Sequence, residues 1–85
     1  MTVRYSEKAQ KAFSKMDKKT QSRILDYMDE VAALTDPRSR GKGLTANLAS
    51  FWRYRVGDYR IICQIQDSEL IILVVDVGHR REIYK

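Results

Sequence analysis

The segment from Phe51 to Gln66 constrains the fold more than any other part of the sequence. Two runs rich in aromatic and β-branched residues, Phe51–Val56 and Tyr59–Gln66, flank the dipeptide Gly57-Asp58. Two residues of this kind between such runs are typical of a tight antiparallel hairpin. Because a two-residue turn also sets the register, the sequence predicts which residues face each other across the hairpin.

The rest of the chain predicts a strand and two helices before the hairpin and one strand after it. Thr2–Tyr5 is short and begins with β-branched residues, which favours an edge strand. Apolar residues then recur at helical spacing in two stretches, which follow the potential capping residues Ser6 and Asp17. The second stretch should end before Asp36-Pro37, because the residue before proline avoids helical backbone angles. Glu69–Val77 is apolar on both faces, so we expect a central strand that is covered on both sides.

These elements predict that residues 1–85 form a single α+β domain. The expected order is β-α-α-β-β-β, with a two-helix hairpin packed on one face of a small twisted, mainly antiparallel sheet. Arg38–Ser50 is expected to be a basic loop, because Gly41 and Gly43 interrupt regular structure, and Leu44 and Leu48 could anchor it to the core. This loop is either solvated or in contact with RNA, and the sequence favours neither alternative.

Composition limits the partners and cofactors of the protein. Sixteen Lys and Arg against eleven Asp and Glu give a formal net charge of +5, which favours anionic partners such as nucleic acid. A single cysteine, Cys63, excludes an internal disulfide, and with a single histidine we expect no zinc site and no other cofactor. Cys63 lies in an apolar run and should be a buried small side chain. Met1–Tyr5 has no hydrophobic signal region and no apolar run could span a bilayer, so we expect a cytoplasmic protein without a membrane partner.

The predicted hairpin separates arginines from apolar residues. The register places Arg55 opposite Arg60 and Arg53 opposite Ile62, and cross-strand partners point to the same side of a sheet. Arg53, Arg55 and Arg60 should therefore converge on one side, which we call the arginine face. The opposite side, suited to contact with the helices, should hold Trp52, Tyr54, Tyr59, Ile61, Cys63 and Ile65.

The arginine face favours a bound phosphate. Three neighbouring arginines repel one another, and Arg55 directly opposite Arg60 is destabilising unless an anion neutralises the pair. Arginine binds phosphate through two parallel N–H donors, which fits such an anion. The alternative is an ordinary solvated face with a carboxylate nearby. The hairpin offers no carboxylate among the same-face neighbours, which leaves Glu69 and Glu82 as candidates.

Gly78–Lys85 is expected to be an irregular tail whose backbone starts beside the arginine face. RNA cleavage by an internal 2′-hydroxyl needs a proton acceptor, cations around the phosphate and a proton donor for the leaving 5′-oxygen. Neighbouring positive charge makes a tyrosine more acidic, so Tyr84 is a candidate base. His79 is a candidate acid, because histidine titrates nearest to neutrality. Alternatively, Tyr84 only pins the tail and His79 only ends a strand.

Two blocks of the sequence, Arg53–Ile62 and Val77–Tyr84, resemble the signature of the RelE branch of the RelE/ParE toxin superfamily. The resemblance extends to the element order over nearly the whole chain. It implies a type II toxin–antitoxin system toxin, an mRNA endonuclease that cuts mRNA in the ribosomal A site by metal-independent 2′-hydroxyl attack and so inhibits translation. The implied partners are a RelB-like antitoxin, the mRNA and the 16S rRNA of the 70S ribosome.

The resemblance also implies roles for individual residues. The residues expected to act in catalysis are Arg60, His79, Arg80 and Tyr84. Those expected to bind RNA phosphates are Arg53, Arg55 and Arg81. In this assignment Arg60 holds the scissile phosphate and Tyr84 is the base, whereas the acid is one of His79, Arg80 and Arg81.

Two other functions stay open at this stage. A ParE-type toxin shares the fold but inhibits DNA gyrase and cuts no RNA. Gyrase poisons generally lack the pattern from His79 to Tyr84, so that pattern favours the nuclease. A non-catalytic RNA-binding module would account for the arginines but would leave Tyr84 without a role.

Overall fold

The described residues of the computed structural model, 1–44 and 51–79, form two helices and a five-stranded mixed sheet. The elements are β1 (Thr2–Tyr5), α1 (Glu7–Ser14), α2 (Lys18–Ala33), β2 (Lys42–Gly43), β3 (Trp52–Val56), β4 (Tyr59–Gln66) and β5 (Ile71–His79), with short 3-10 helices at Pro37–Ser39 and Asp67–Glu69. The strand order is β1-β5-β4-β3-β2, in which β1 runs parallel to β5 and the other neighbours are antiparallel. The predicted α+β class, the helical hairpin and the edge position of β1 are confirmed.

Both helices begin at the predicted capping residues. The Ser6 hydroxyl accepts a hydrogen bond from the Ala9 N–H at 3.1 Å, and the Asp17 carboxylate accepts one from the Thr20 N–H at 2.7 Å. Each bond satisfies a backbone donor that the helix itself leaves open. Helix α2 ends before Pro37, as expected. Neither helix of the described segments is long and apolar enough to cross a membrane.

The core lies between the two helices and one face of the sheet. Its fully buried side chains come from α1, α2, β3, β4 and β5: Ala9, Ile24, Met28, Val31, Tyr54, Ile61, Cys63, Ile72 and Val74. The prediction that Cys63 is a buried thiol is confirmed, and burial raises its pKa. Trp52 and Tyr59 pack against this core from the predicted face of the hairpin.

The last strand differs from its prediction in its cover and in its boundaries. Strand β5 is central, between β1 and β4, but Ile71, Leu73 and Val75 on its outer face are only partly buried. Both helices lie on the other face, so the expectation of cover on both sides is wrong for the described residues. The strand also starts after Glu69 and continues to His79, because its pairing with β4 extends to the hairpin turn.

A β-bulge interrupts the pairing of β5 with β4. Ile62 lies opposite Asp76, whereas its neighbour Cys63 lies opposite Val74, so Val75 is an extra residue on β5. The Val75 carbonyl accepts a hydrogen bond from the Ser6 hydroxyl at 2.9 Å, which joins the bulge to the start of α1. An extra residue shifts the alternation of side chains, so every residue of β5 after the bulge changes face.

The predicted loop Arg38–Ser50 contains one strand that the sequence did not predict. Lys42 and Gly43 form β2 and pair with β3 at the edge of the sheet. The sequence did not predict this strand because glycines stand on both sides of Lys42, and glycine usually interrupts strand patterns. Leu44 donates a backbone hydrogen bond to the Phe51 carbonyl at 3.1 Å, and Leu48 lies outside the described residues.

Candidate nucleic-acid interface

The hairpin has the predicted register. Arg55 lies opposite Arg60, Arg53 lies opposite Ile62, and Tyr54 on the alternate face is fully buried in the core. The structure therefore brings Arg53, Arg55 and Arg60 together on the side of the sheet that is turned away from the helices.

The three arginines differ in depth. The Arg55 side chain is exposed and Arg53 is partly buried, whereas Arg60 is only 6% exposed. Arg60 lies between Arg55 on β3 and Gly78 on β5, and the missing side chain at Gly78 leaves room for a long side chain on the sheet surface. A recessed guanidinium has few alternative rotamers, so it offers its two parallel N–H donors in a fixed direction.

Lys42 extends the arginine face toward the sheet edge. It lies opposite Arg53 in the β2–β3 pair, and cross-strand partners point to the same side. We call the enlarged set Lys42, Arg53, Arg55 and Arg60 the basic face. Lys42 belongs to the predicted basic loop, and a short pairing beside glycine gives no sequence pattern that would have revealed its place on this face.

Two aromatic side chains of β3, the partly buried Trp52 and the buried Tyr54, hold the segment before Lys42 against the sheet. The Trp52 indole N–H donates to the Arg40 carbonyl at 2.8 Å, and the Tyr54 hydroxyl donates to the Pro37 carbonyl at 2.6 Å. Gly41 between them has φ +78°, a backbone conformation that favours glycine. The strand β2 is thus positioned by side chains of β3 as well as by backbone pairing.

The other two cations of this segment take part in the fold. Arg38 forms two hydrogen bonds of 2.9 Å with the Asp67 carboxylate, which lower the pKa of Asp67. Arg40 lies 5.6 Å from the centre of the Tyr27 ring and 3.6 Å from the Glu30 carboxylate. Of the loop cations, Lys42 is therefore the one that the structure places on the basic face.

A carboxylate that the sequence analysis did not consider, Asp76, lies on the same side of the sheet. Because of the bulge, Asp76 faces Ile62, in the row that also contains Arg53. Its carboxylate forms an ion pair with Lys8 at 3.2 Å and accepts a hydrogen bond from the Val77 N–H. Of the two predicted neutralising carboxylates, Glu69 lies at the opposite end of β4 from Arg60, and Glu82 is outside the described residues.

The predicted site residue His79 lies on the opposite side of the sheet from Arg60. It pairs with Tyr59 at the end of β5, and the two rings meet edge to face with their centres 5.9 Å apart. His79 and Tyr59 line a cleft of about 280 Å³ together with Arg23 of α2, on the helix side. The other tail residues proposed for the site, Arg80, Arg81 and Tyr84, are outside the described residues. The roles assigned to these four residues, catalytic for His79, Arg80 and Tyr84 and phosphate-binding for Arg81, stay predictions.

The described part of the chain holds no cluster of three His, Cys, Asp or Glu side chains that could bind a metal ion. The basic face instead presents four cations on adjacent strands. Such a surface can bind consecutive phosphates of a nucleic acid strand and can stabilise additional negative charge on one of them.

Comparison with known proteins agrees with this geometry. Residues 3–84 match the family model of the ParE toxin of the type II toxin–antitoxin system parDE. The chain is 26% identical over 84 residues to toxin RelG of Mycobacterium tuberculosis, which covers 99% of this chain and 95% of RelG.

Two solved structures show the same fold. The crystal structure of the toxin–antitoxin complex RelBE2 from Mycobacterium tuberculosis matches with a TM-score of 0.84 and 25% identity, over 95% of this chain and 92% of that chain. The isolated E. coli RelE toxin matches with a TM-score of 0.75 and 20% identity, over 98% of this chain and 89% of that chain. Since the family match spans nearly the whole sequence, the chain belongs to the ParE toxin family and is a type II toxin–antitoxin system toxin of the RelE/ParE superfamily.

Proposed function

We propose that this toxin is a ribosome-dependent endonuclease that cuts mRNA in the ribosomal A site. The observation that carries the proposal is the convergence of Arg53, Arg55 and Arg60 on one side of the sheet, with Arg60 recessed between Arg55 and Gly78. The recessed Arg60 suits one phosphate of an RNA strand, and the more exposed Arg53 and Arg55 suit the phosphates next to it. The likeness to RelG and to RelE toxins supports the same activity.

In the proposed reaction the 2′-oxygen attacks the adjacent phosphorus while the bond to the 5′-oxygen breaks, leaving a 2′,3′-cyclic phosphate and a 5′-hydroxyl. Arg60 holds the scissile phosphate, and Arg53 and Arg55 bind the RNA backbone and stabilise the charge of the transition state. Tyr84 accepts the proton of the 2′-hydroxyl. The leaving oxygen receives its proton from Arg80 or Arg81, because His79 lies on the opposite side of the sheet from Arg60.

The proposed partner in the inactive state is a RelB-like antitoxin. The similar RelBE2 structure is that of a toxin–antitoxin complex. We expect acidic residues of the antitoxin to meet the basic face, because a net charge of +5 and four neighbouring cations attract a negatively charged segment. Association should therefore slow as the salt concentration rises, and a rate constant that does not change with salt would count against this contact.

Primer extension on a defined mRNA, with and without 70S ribosomes, tests the activity. We expect cuts only when ribosomes are present, because three arginines and a short tail do not by themselves orient a free RNA strand. Arg60→Ala should reduce cutting, whereas Lys11→Ala, at an exposed position of α1 away from the basic face, also removes one positive charge and serves as the control. A chelator at a level that leaves ribosomes intact should not abolish cutting.

Inhibition of DNA gyrase is the second candidate function, because the matching family model is that of the ParE toxin. A supercoiling assay run beside the primer extension separates the two. Inhibited supercoiling with uncut mRNA would replace the nuclease by the gyrase inhibitor. A protein that blocks translation without cutting mRNA or inhibiting gyrase would be the RNA-binding module.

A further inference from the structure

A cavity of about 260 Å³ opens at the edge of the sheet, beside the basic face. It is lined by Tyr27, Gly41, Lys42, Arg53 and Arg55. Three of these five residues carry a positive charge and none carries a negative one. A cavity with this lining suits an anion.

The fold builds this cavity from three separate elements. Strand β2 pairs with β3 only through Lys42 and Gly43, so Arg55 lies beyond the end of β2. Tyr27 of α2 forms another wall, and its ring lies between the Arg40 guanidinium, 5.6 Å from its centre, and the Tyr54 ring, whose centre is 6.1 Å away. The Tyr27 wall is therefore in place before any ligand binds, which reduces the entropic cost of binding.

Gly41 keeps Lys42 at the mouth of the cavity. A Cβ at this position would collide with the Arg53 carbonyl oxygen and lie 2.8 Å from the Trp52 indole nitrogen. The chain can approach β3 this closely only with glycine, and the positive φ then directs the next residue into the pairing with Arg53. This close approach brings Lys42 beside Arg53 and Arg55.

The cations of the cavity favour an anionic ligand over neutralisation by a carboxylate of the protein. Neither Lys42 nor Arg55 forms an ion pair with another described residue. Glu30, which lies one helical turn from Tyr27, is engaged with Arg40 at 3.6 Å. Like charges on adjacent strands destabilise a sheet, so an anion that binds between them stabilises both the complex and the fold.

We propose that this cavity is a second phosphate subsite, which binds a backbone phosphate of the same RNA strand at one side of the scissile phosphate. The identification of the strand rests on the proposed function. The Cα atoms of Lys42 and Arg60 are two strands and two residues apart, which corresponds to about 12 Å at the spacings of a β-sheet. Arg60 is recessed between Arg55 and Gly78, whereas the cavity lies at the edge of the sheet, so we assign to the cavity a different phosphate from the one on Arg60. Lys42 and Tyr27 are then substrate-positioning residues.

The test is the binding of a short single-stranded RNA to the full chain, measured by fluorescence anisotropy over a series of salt concentrations. The riboses carry 2′-O-methyl groups, so the RNA cannot be cut and binding is read independently of cleavage. Lys42→Ala should reduce the slope of log affinity against log salt by about 0.7, the value for one phosphate contact on a single strand. Lys11→Ala, at an exposed position of α1, removes the same charge and should leave the slope unchanged.

A second measurement locates the contact on the RNA. Single neutral methylphosphonate linkages are placed at each position in turn, and one of them should cancel the difference between wild type and Lys42→Ala. Tyr27→Phe should weaken binding at that same linkage without changing the slope. Equal slopes for Lys42→Ala and Lys11→Ala would overturn the subsite. So would a Lys42→Ala variant that binds RNA normally but binds an acidic antitoxin peptide less tightly.

The two proposals fail in different ways. If the protein binds the uncuttable RNA through Lys42 but cuts no mRNA on ribosomes, the proposed activity is wrong and the subsite stands. If mRNA is cut normally by Lys42→Ala and the salt slope does not change, the activity stands and the subsite is wrong. The circular dichroism spectrum of each variant shows whether it is folded, and Lys42→Arg should restore the slope because it restores the charge.

Discussion

The hydroxyl group of Tyr54 should stabilise the fold, whereas that of Tyr5 should not. Tyr54 is fully buried, and its hydroxyl donates to the Pro37 carbonyl at 2.6 Å. Tyr54→Phe keeps the ring in the core but leaves that carbonyl in a buried residue without its donor. The loss of the bond and the cost of the unsatisfied carbonyl together should lower the free energy of unfolding by about 1–2 kcal/mol.

Tyr5→Phe is the matched control. The Tyr5 hydroxyl is also buried, but it makes no hydrogen bond with any described residue. Burial, with smaller effects from Asp29 and Cys63, raises the pKa of Tyr5 to about 12. Removing a polar atom that is desolvated and unsatisfied should leave the free energy of unfolding unchanged or raise it by up to about 1 kcal/mol.

Urea unfolding followed by the fluorescence of Trp52 measures both variants. Trp52 is the single tryptophan, and its indole contacts the Arg40 carbonyl in the segment that Tyr54 holds. The midpoint should fall for Tyr54→Phe with an unchanged slope, and the melting temperature should fall by about 4–8 °C per kcal/mol for a chain of this size. Equal free energies of unfolding for the two variants would refute the role assigned to the bond between Tyr54 and Pro37.

Four further outcomes are expected. Gly41→Ala combines a positive φ with a backbone collision, so it should lower the free energy of unfolding by about 2–4 kcal/mol, which urea unfolding measures. Alternatively, β2 detaches from β3, and RNA binding then loses the part of its salt dependence that is due to Lys42. Tyr84→Phe should bind ribosomes normally and cut mRNA about a hundredfold to ten-thousandfold more slowly in a single turnover, whereas Arg60→Ala should weaken both binding and cutting. Asp67→Asn should lower the melting temperature at neutral pH, because the Arg38 hydrogen bonds lower the pKa of Asp67 and so stabilise the fold above about pH 4. The difference in melting temperature between Asp67→Asn and wild type should disappear as the pH falls through the lowered pKa of Asp67. A difference that persists at lower pH would contradict this role of the ion pair.

The parts of the fold that depend on neighbouring residues were predictable from the sequence. Ser6 and Asp17 cap their helices because the capping bond spans only three residues. The register of the hairpin follows from the two residues Gly57-Asp58, so the convergence of Arg55 and Arg60 could be derived without a structure. These features need no information about which distant segments meet.

The features that depend on distant segments were missed. Lys42 belongs to the basic face because it pairs with Arg53. The segment that joins the two residues is too long for the sequence to predict this register. The apolar sequence of β5 suggested cover on both faces, because a run without polar residues has no visible alternation. Only the position of the two helices shows that Ile72 and Val74 face the core, whereas Leu73 does not.

The bulge explains why His79 does not share the side of Arg60, although the tail was expected to start beside the arginine face. With the regular register seen at Gln66 and Ile71, residues 76 and 78 would face the helices and residue 79 would share the side of Arg60. The extra residue Val75 reverses this alternation, which puts Gly78 beside Arg60 and His79 beside Tyr59. The reversal removes a bulky side chain from the neighbourhood of Arg60 and replaces it with glycine, so a recessed guanidinium and an approaching phosphate can share the space. Because the Val75 carbonyl is held by the hydroxyl of Ser6, the residue that caps the first helix also fixes which side chains of the last strand share the side of Arg60.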